Sequence, residues 1–379
     1  MANFAQLLWL TRNILQFSHV SLTAIIVRKM KLNTIGSYIP ANDRQSNIEL
    51  LRIVAMSMIV IGHFLYHGVT KENMPRFPYE LIYTYCRDGV NLFFLISGFF
   101  RIKSTVRSVA RLVFTVLFFE CINYLLVYIA VGEVQFDGWR YTLFFPVSAG
   151  PYWFLQVYLA LIICSPLINR GIDGLSLNKL RAFMLILSLF TFYSCGFGGN
   201  MSNSNGYSFL QGVYMYCVAA YLKRDNWLMS RLKGVKCIGA ALVMLTLGAI
   251  LVYYSKKPLL TDYNSFISII TSALIFTYFV NLDIKSKAVN IIASGALGCY
   301  LLQDGWFGHR YLYATINSVF TSEPLYCSLA YLTVQFISFW ALSVLITMIV
   351  RPLFRLLDRN LVAPISKKLG DFVDKIPVG

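Results

Sequence analysis

The stretch Glu49-Leu-Leu-Arg52-Ile-Val-Ala-Met-Ser-Met-Ile-Val-Ile-Gly-His63 decides how the chain is read. Between its arginine and its histidine every residue is apolar or small, as in a helix that crosses a membrane. Eleven steps of about 100° end roughly 20° past three full turns, so Arg52 and His63 share one face. At about 1.5 Å per residue they lie about 16 Å apart along the axis. Arg52 then stands near the start of the span and His63 deep within it. Ionisable groups at that depth are costly, and they mark a pathway or an active site.

The rest of the chain has the same character. Its 379 residues are 57% hydrophobic and only 13% charged, with a mean hydropathy of +0.62. A typical soluble domain is about 25% charged, so an integral membrane protein is the economical reading. The net charge of +16 does not indicate nucleic acid, whose binders gather positive charge on a hydrophilic surface. Here the charges lie between apolar segments, where they set orientation. The eight cysteines are scattered singly and read as small buried hydrophobes rather than disulfides or metal ligands.

Ten spans can be placed, at 48–67, 80–100, 108–131, 151–168, 181–196, 208–222, 237–254, 263–281, 288–303 and 326–350. Each is near the roughly 20 residues a bilayer requires. The second is interrupted by Arg87 and Asp88, which either neutralise one another or leave Asp88 to face Arg52. With both termini in the cytoplasm, all but seven of the 33 basic residues fall on the inner side. The seven are Lys71, Arg76, Arg87, Arg140, Lys256, Lys257 and Arg310. That asymmetry favours an all-α, polytopic bundle of about ten helices with both ends inside.

Three regions follow: an extension over 1–44, a membrane-embedded domain over 45–352 and a cytoplasmic tail over 353–379. In the extension, Phe4–Leu10 and Val20–Val27 are apolar but are broken by Arg12, Asn13 and His19. That pattern argues against a cleaved signal peptide and suits an interfacial helix or a natural start at Met30. Two outward stretches, the turn-rich 196–208 and the segment 304–325 with Asp304, Trp306, His309 and Arg310, either line a site or merely connect spans.

The Arg52-x10-His63 pair, together with Gly89-Val-Asn-Leu-Phe-Phe-Leu-Ile-Ser-Gly-Phe99, resembles the acyltransferase-3 family of integral membrane acyltransferases, which includes the O-antigen and exopolysaccharide O-acetyltransferases. Tyr152-Trp-Phe-Leu155 and Ser294-Gly-Ala-Leu-Gly-Cys-Tyr-Leu-Leu-Gln303 add to the likeness, which covers roughly 45–350. It implies transfer of an acyl group, commonly acetyl, from cytoplasmic acyl-CoA to a hydroxyl of a polysaccharide or its lipid-linked precursor. Acetyl-CoA would be a co-substrate rather than a resident cofactor, and the setting a multi-pass plasma membrane protein among lipids.

Physical chemistry gives those residues roles. A sugar hydroxyl needs a base as it attacks a thioester, and histidine suits neutral pH. His63 is therefore either that base or a nucleophile that carries the acyl group as an acyl-imidazole. Arg52 would hold a CoA phosphate or stabilise charge on the thioester oxygen. Arg101, Lys103, Arg107 and Arg111 form a docking cluster for CoA phosphates, although inner-side flanks produce the same pattern.

Tyr152, Trp153, Gln303 and Asp88 are the candidates for contact with the acceptor. Tyr152 and Trp153 also read as interfacial belt aromatics. Three positions depart from the family pattern: Lys103 where an arginine is usual, Gln303 where the late motif usually ends in histidine, and Asn91 where aspartate is common. His63 and His67 have the i, i+4 spacing of metal ligands on a helix. No carboxylate or cysteine follows at a matching distance, so no metal is expected. Two other classes stay open: a transporter or flippase lined by Arg52, His63 and Arg87, and a catalytically lapsed membrane scaffold. A transporter built from repeats would show corresponding broken helices in two halves, and none are visible.

Overall fold

The computed structural model describes residues 45–69, 73–132, 145–148, 151–196, 204–225, 227–231 and 234–373. The extension over 1–44, with its two apolar patches and the Met30 start, lies outside them, as does most of the 196–208 stretch. The described residues are predominantly helical, with no strand among them. In a hydrocarbon medium only closed hydrogen-bond systems are tolerated, and helices close theirs within one segment.

The helices are α1 (Ser46–His63), α2 (Arg76–Cys86), α3 (Gly89–Phe100), α4 (Val106–Val131), α5 (Trp153–Gly174), α6 (Leu177–Gly196), α7 (Phe209–Arg224), α8 (Trp227–Arg231), α9 (Val235–Ser255), α10 (Phe266–Val280), α11 (Lys287–Ala293), α12 (Ala296–Gln303), α13 (Tyr313–Ser322), α14 (Leu325–Leu357) and α15 (Ala363–Val373). Each of the ten expected spans falls on one helix or on a consecutive pair. Five stretches are long and apolar enough to cross a membrane: Ser46–Gly68, Val106–Ala130, Trp153–Gly174, Val235–Ser255 and Leu325–Lys368.

Four expectations are refined. The 80–100 span is two helices, α2 and α3, meeting at Arg87–Asp88. The 288–303 span is likewise α11 and α12, joined at Ser294–Gly295. The segment 304–325 is not an open loop but a π-helical turn, Gly308–Leu312, running into α13. The boundary at 352 falls inside α14, whose 33 residues rise about 50 Å at 1.5 Å each. That exceeds the roughly 30 Å hydrocarbon core, and the helix runs on through a further π-helical turn, Asp358–Val362, into α15.

Two glycines bring α3 into the centre. A methyl group at Gly98 would collide with the backbone of Tyr216 on α7, and one at Gly89 would lie 2.6 Å from the Ala55 carbonyl oxygen on α1. Small residues let helices approach closely in lipid, where packing rather than hydrophobicity drives association. The N-terminal end of α1 is tied down by polar groups. Asn47 donates to the carbonyls of Phe279 and Val280 at 3.1 Å, and the Ser286 amide donates to the Ser46 hydroxyl at 3.0 Å. Helix α4 starts at a capping box, in which the Thr105 hydroxyl accepts from the Ser108 amide and the Ser108 hydroxyl accepts from the Thr105 amide, both at 3.1 Å. No disulfide forms among the seven cysteines whose side chains are described. Cys86, Cys217, Cys237 and Cys299 are buried, whereas Cys121 is exposed.

Candidate active site

At the end of α1 the chain widens into a π-helical turn, Phe64–Gly68, and a cavity of about 290 Å³ opens beside it. His63, Tyr66 and His67 line it from α1 and this turn. Tyr83, Cys86 and Arg87 line it from α2 and the break that follows. Pro151, Trp153, Tyr207 and Tyr263 contribute from connections and helix starts, and Asp304 and His309 from the segment after α12. Both stretches singled out as outward-facing thus reach the cavity, through Tyr207 and through Asp304 with His309.

Gln303, at the last position of α12 and fully buried, fixes the histidine. One atom of its amide lies 2.8 Å from His63 Nδ1 and the other 3.2 Å. The Tyr313 hydroxyl is 2.8 Å from the second of these atoms and 2.9 Å from the Gln303 carbonyl oxygen. An amide satisfies such a network either way round. With its nitrogen toward His63, Nδ1 accepts and the ring proton sits on Nε2. With its oxygen there, Nδ1 donates, Tyr313 donates to the Gln303 carbonyl, and Nε2 keeps a lone pair. The Asp304 carboxylate, 3.6 Å from His63 Nδ1, decides between them, because negative charge favours an N–H pointing at it. In that tautomer the Nε2 lone pair of His63 is the one left to act.

The opposite wall is aromatic. The rings of Trp153 and Tyr207 are 4.6 Å apart, Tyr207 and Tyr263 4.9 Å, and Trp153 and Tyr263 5.8 Å. Arg87 is held beside them and also lines the cavity. It is paired with Asp262, donates to the Thr261 carbonyl at 3.2 Å and the Tyr83 hydroxyl at 3.2 Å, and sits 4.6 Å from the centre of the Tyr263 ring. Burial pushes the Asp262 carboxyl above its ordinary value, with the Arg87 charge acting against that rise.

The remaining sequence candidates are placed elsewhere. Arg52 is paired with Glu49 at 2.8 Å and does not line the cavity, so it and His63 stay apart along α1. Asp88 meets neither Arg52 nor the cavity; it is fully buried and accepts from the Ser268 hydroxyl at 2.8 Å. The expected Arg87–Asp88 neutralisation is replaced by Arg87–Asp262. Tyr152 is neither a belt residue nor a cavity residue. It is fully buried against the Glu120 carboxylate and lies 3.1 Å from the Leu301 carbonyl, tying α5 to α4 and α12. Its neighbour Trp153 does line the cavity.

Of the basic cluster, Arg101 donates to Asn169 and to Asp173, both at 3.0 Å. Arg107 is paired with Asp358, Arg111 lies 5.2 Å from the Phe354 ring centre, and Lys103 is exposed. Two of the four charges are therefore already matched by carboxylates. Asn91 makes no contact with the cavity. Its amide donates to the Tyr263 carbonyl at 2.9 Å and the Ser268 hydroxyl at 3.1 Å, and its oxygen accepts from Gln211 at 3.1 Å. An amide supplies all three bonds and an ionised aspartate could not, which accounts for that departure as architecture.

Sequence reasoning missed Tyr83 and Tyr263, and it named Arg87 only as lining a transport path, without its partner Asp262. A lone arginine in an apolar run was the available signal, but its carboxylate partner lies 175 residues away.

Neither the curated proteins nor the solved structures that were searched returned a match. A family model does: an acyltransferase domain, that of the acyltransferase-3 family, matches residues 45–355. The match takes in α1 with Arg52 and His63, the α3 motif and the late helix ending at Gln303. The chain is a membrane protein of helical architecture, and it belongs to the acyltransferase-3 family.

Proposed function

We propose that this membrane acyltransferase moves an acyl group, acetyl in the first instance, from cytoplasmic acyl-CoA to a hydroxyl of a surface or secreted polysaccharide or its lipid-linked precursor. In this reading ten helices cross the plasma membrane with both termini inside. The cavity faces outward and Arg52 faces the donor side. Acyl-CoA is a co-substrate.

The observation that carries the proposal is His63 at the cavity wall with Nδ1 engaged by Gln303 and Asp304. Its Nε2 takes the proton of the acceptor hydroxyl as that oxygen attacks the thioester carbon. The C–O bond forms, the C–S bond breaks, and the proton passes from His63 to the departing CoA sulfur. The Trp153–Tyr207–Tyr263 wall offers flat faces to the apolar C–H side of a sugar ring. Arg87, neutralised by Asp262, gives that wall rigidity without a net charge, which suits an uncharged hydroxyl acceptor. Arg52 stabilises the donor phosphates or thioester oxygen, and Arg101, Lys103, Arg107 and Arg111 are the surface on which CoA docks.

The test is transfer from labelled acetyl-CoA to the host polysaccharide in membranes, comparing wild type with His63→Ala and Arg52→Ala at equal expression. Loss of labelled glycan with normal glycan export supports the proposal and excludes a flippase. Undiminished labelling in His63→Ala would overturn it.

A further inference from the structure

Three of the chain's four histidines meet at this cavity, and one hydrogen-bonded base does not require the other two. His67 and His309 sit on different π-helical turns, Phe64–Gly68 and Gly308–Leu312. Such insertions into helices gather at functional sites. The two turns present the histidines to each other, with ring centres 4.9 Å apart. His309 Nε2 is 3.1 Å from Asp304 Oδ1, and one donor atom from each of His67, Asp304 and His309 lies within 4.8 Å of the other two. His67 lies flat against the Tyr313 ring at 4.9 Å. Among the described residues its ring nitrogens have no hydrogen-bond partner.

We propose that His67, Asp304 and His309 bind a divalent transition-metal ion of the zinc class at the mouth of the cavity. Two imidazoles and one carboxylate are the donors that zinc takes, and three protein ligands leave its fourth position open toward the cavity. Metal bonds of about 2.0–2.1 Å with tetrahedral angles put donor atoms about 3.4 Å apart. Asp304 and His309 already meet that spacing. His67, exposed at the end of its turn, closes the rest by a side-chain rotation. Imidazole donors favour zinc, copper or nickel over magnesium or calcium, which want oxygen. The Tyr313 ring packs against His67 and limits the rotation it needs. Helical periodicity offers only His63 and His67 as a pair; the missing carboxylate arrives from the far end of the chain.

The site stands whether or not the acyl-transfer reading holds, and its test reads metal rather than product. Full-length protein without a histidine tag is purified in detergent, stripped with chelator and titrated with Zn²⁺ and with Co²⁺. Bound metal is measured by elemental analysis and by the visible absorption of Co²⁺. One saturable equivalent is expected, with affinity weakened about tenfold or more in His309→Gln and in His67→Gln. His19→Gln, altering the remaining histidine, is expected to bind as the parent does. Gel filtration and thermal melting confirm that each variant is folded. Absence of saturable binding, or equal affinity in folded His67→Gln and His309→Gln, overturns the proposal.

Discussion

Gln303 and Asp304 act on His63 through a single nitrogen, and that geometry separates their effects from a merely structural role. Replacing His63 with alanine removes the base, and general acid–base catalysis contributes about 100- to 10,000-fold; a loss of that order is expected in labelled-acyl transfer. Gln303→Leu leaves His63 in place without its nearest hydrogen-bond partner. Asp304→Asn removes the charge that keeps the proton on Nδ1. Both are expected to lower kcat with little change in KM for the acceptor. Gln303→His, which restores a hydrogen-bonding ring at the end of the late motif, is expected to retain more activity than Gln303→Leu. Equal activity of the two would remove the positioning role. His63 was legible in the sequence because a costly group in an apolar helix needs a reason. The direction of its proton was not, because that depends on contacts across 240 residues. Tyr152 and Asp88 show the converse: a polar group in or beside a motif served packing between helices, which no local pattern distinguishes from a site.

Helices carry a different lesson. Apolar runs of the right length placed the elements, since the bilayer forces every such run into a closed hydrogen-bond system. Breaks inside them were harder. The Arg87–Asp88 interruption was visible as charge, while the joint at Ser294–Gly295 was hidden in a motif that reads as continuous helix. The π-helical turns have no signature in hydropathy. Helix α3 depends on close approach, so Gly98→Ala is expected to lower stability by about 1–3 kcal/mol through overpacking against Tyr216. A fall in melting temperature in detergent would register it. Asn91→Asp loses two donated hydrogen bonds while keeping size, and a cost of about 1–3 kcal/mol is expected. Should Asn91→Asp melt with the parent, the architectural account of that position fails.

For the whole molecule, orientation rests on the distribution of basic residues, and cysteine labelling tests it. Cysteine introduced at the exposed positions Lys103 and Ser148, in a background lacking the exposed Cys121, is expected to react with an impermeant reagent from opposite sides. Ser148 should label in intact cells and Lys103 only after lysis. Labelling of both from one side would refute the ten-span topology. The pairing of His63 with Gln303 also has a consequence in time. The ribosome finishes α1 about 240 residues before it makes the partner of its histidine. At about 5–20 residues per second that interval is on the order of 10–50 s. Through it, a half-built chain must keep a polar ring in or near lipid with no Gln303 or Asp304 to receive it. Assembly of the centre is therefore a late event of biosynthesis, and a nascent chain stalled before α12 is a natural substrate for membrane quality control.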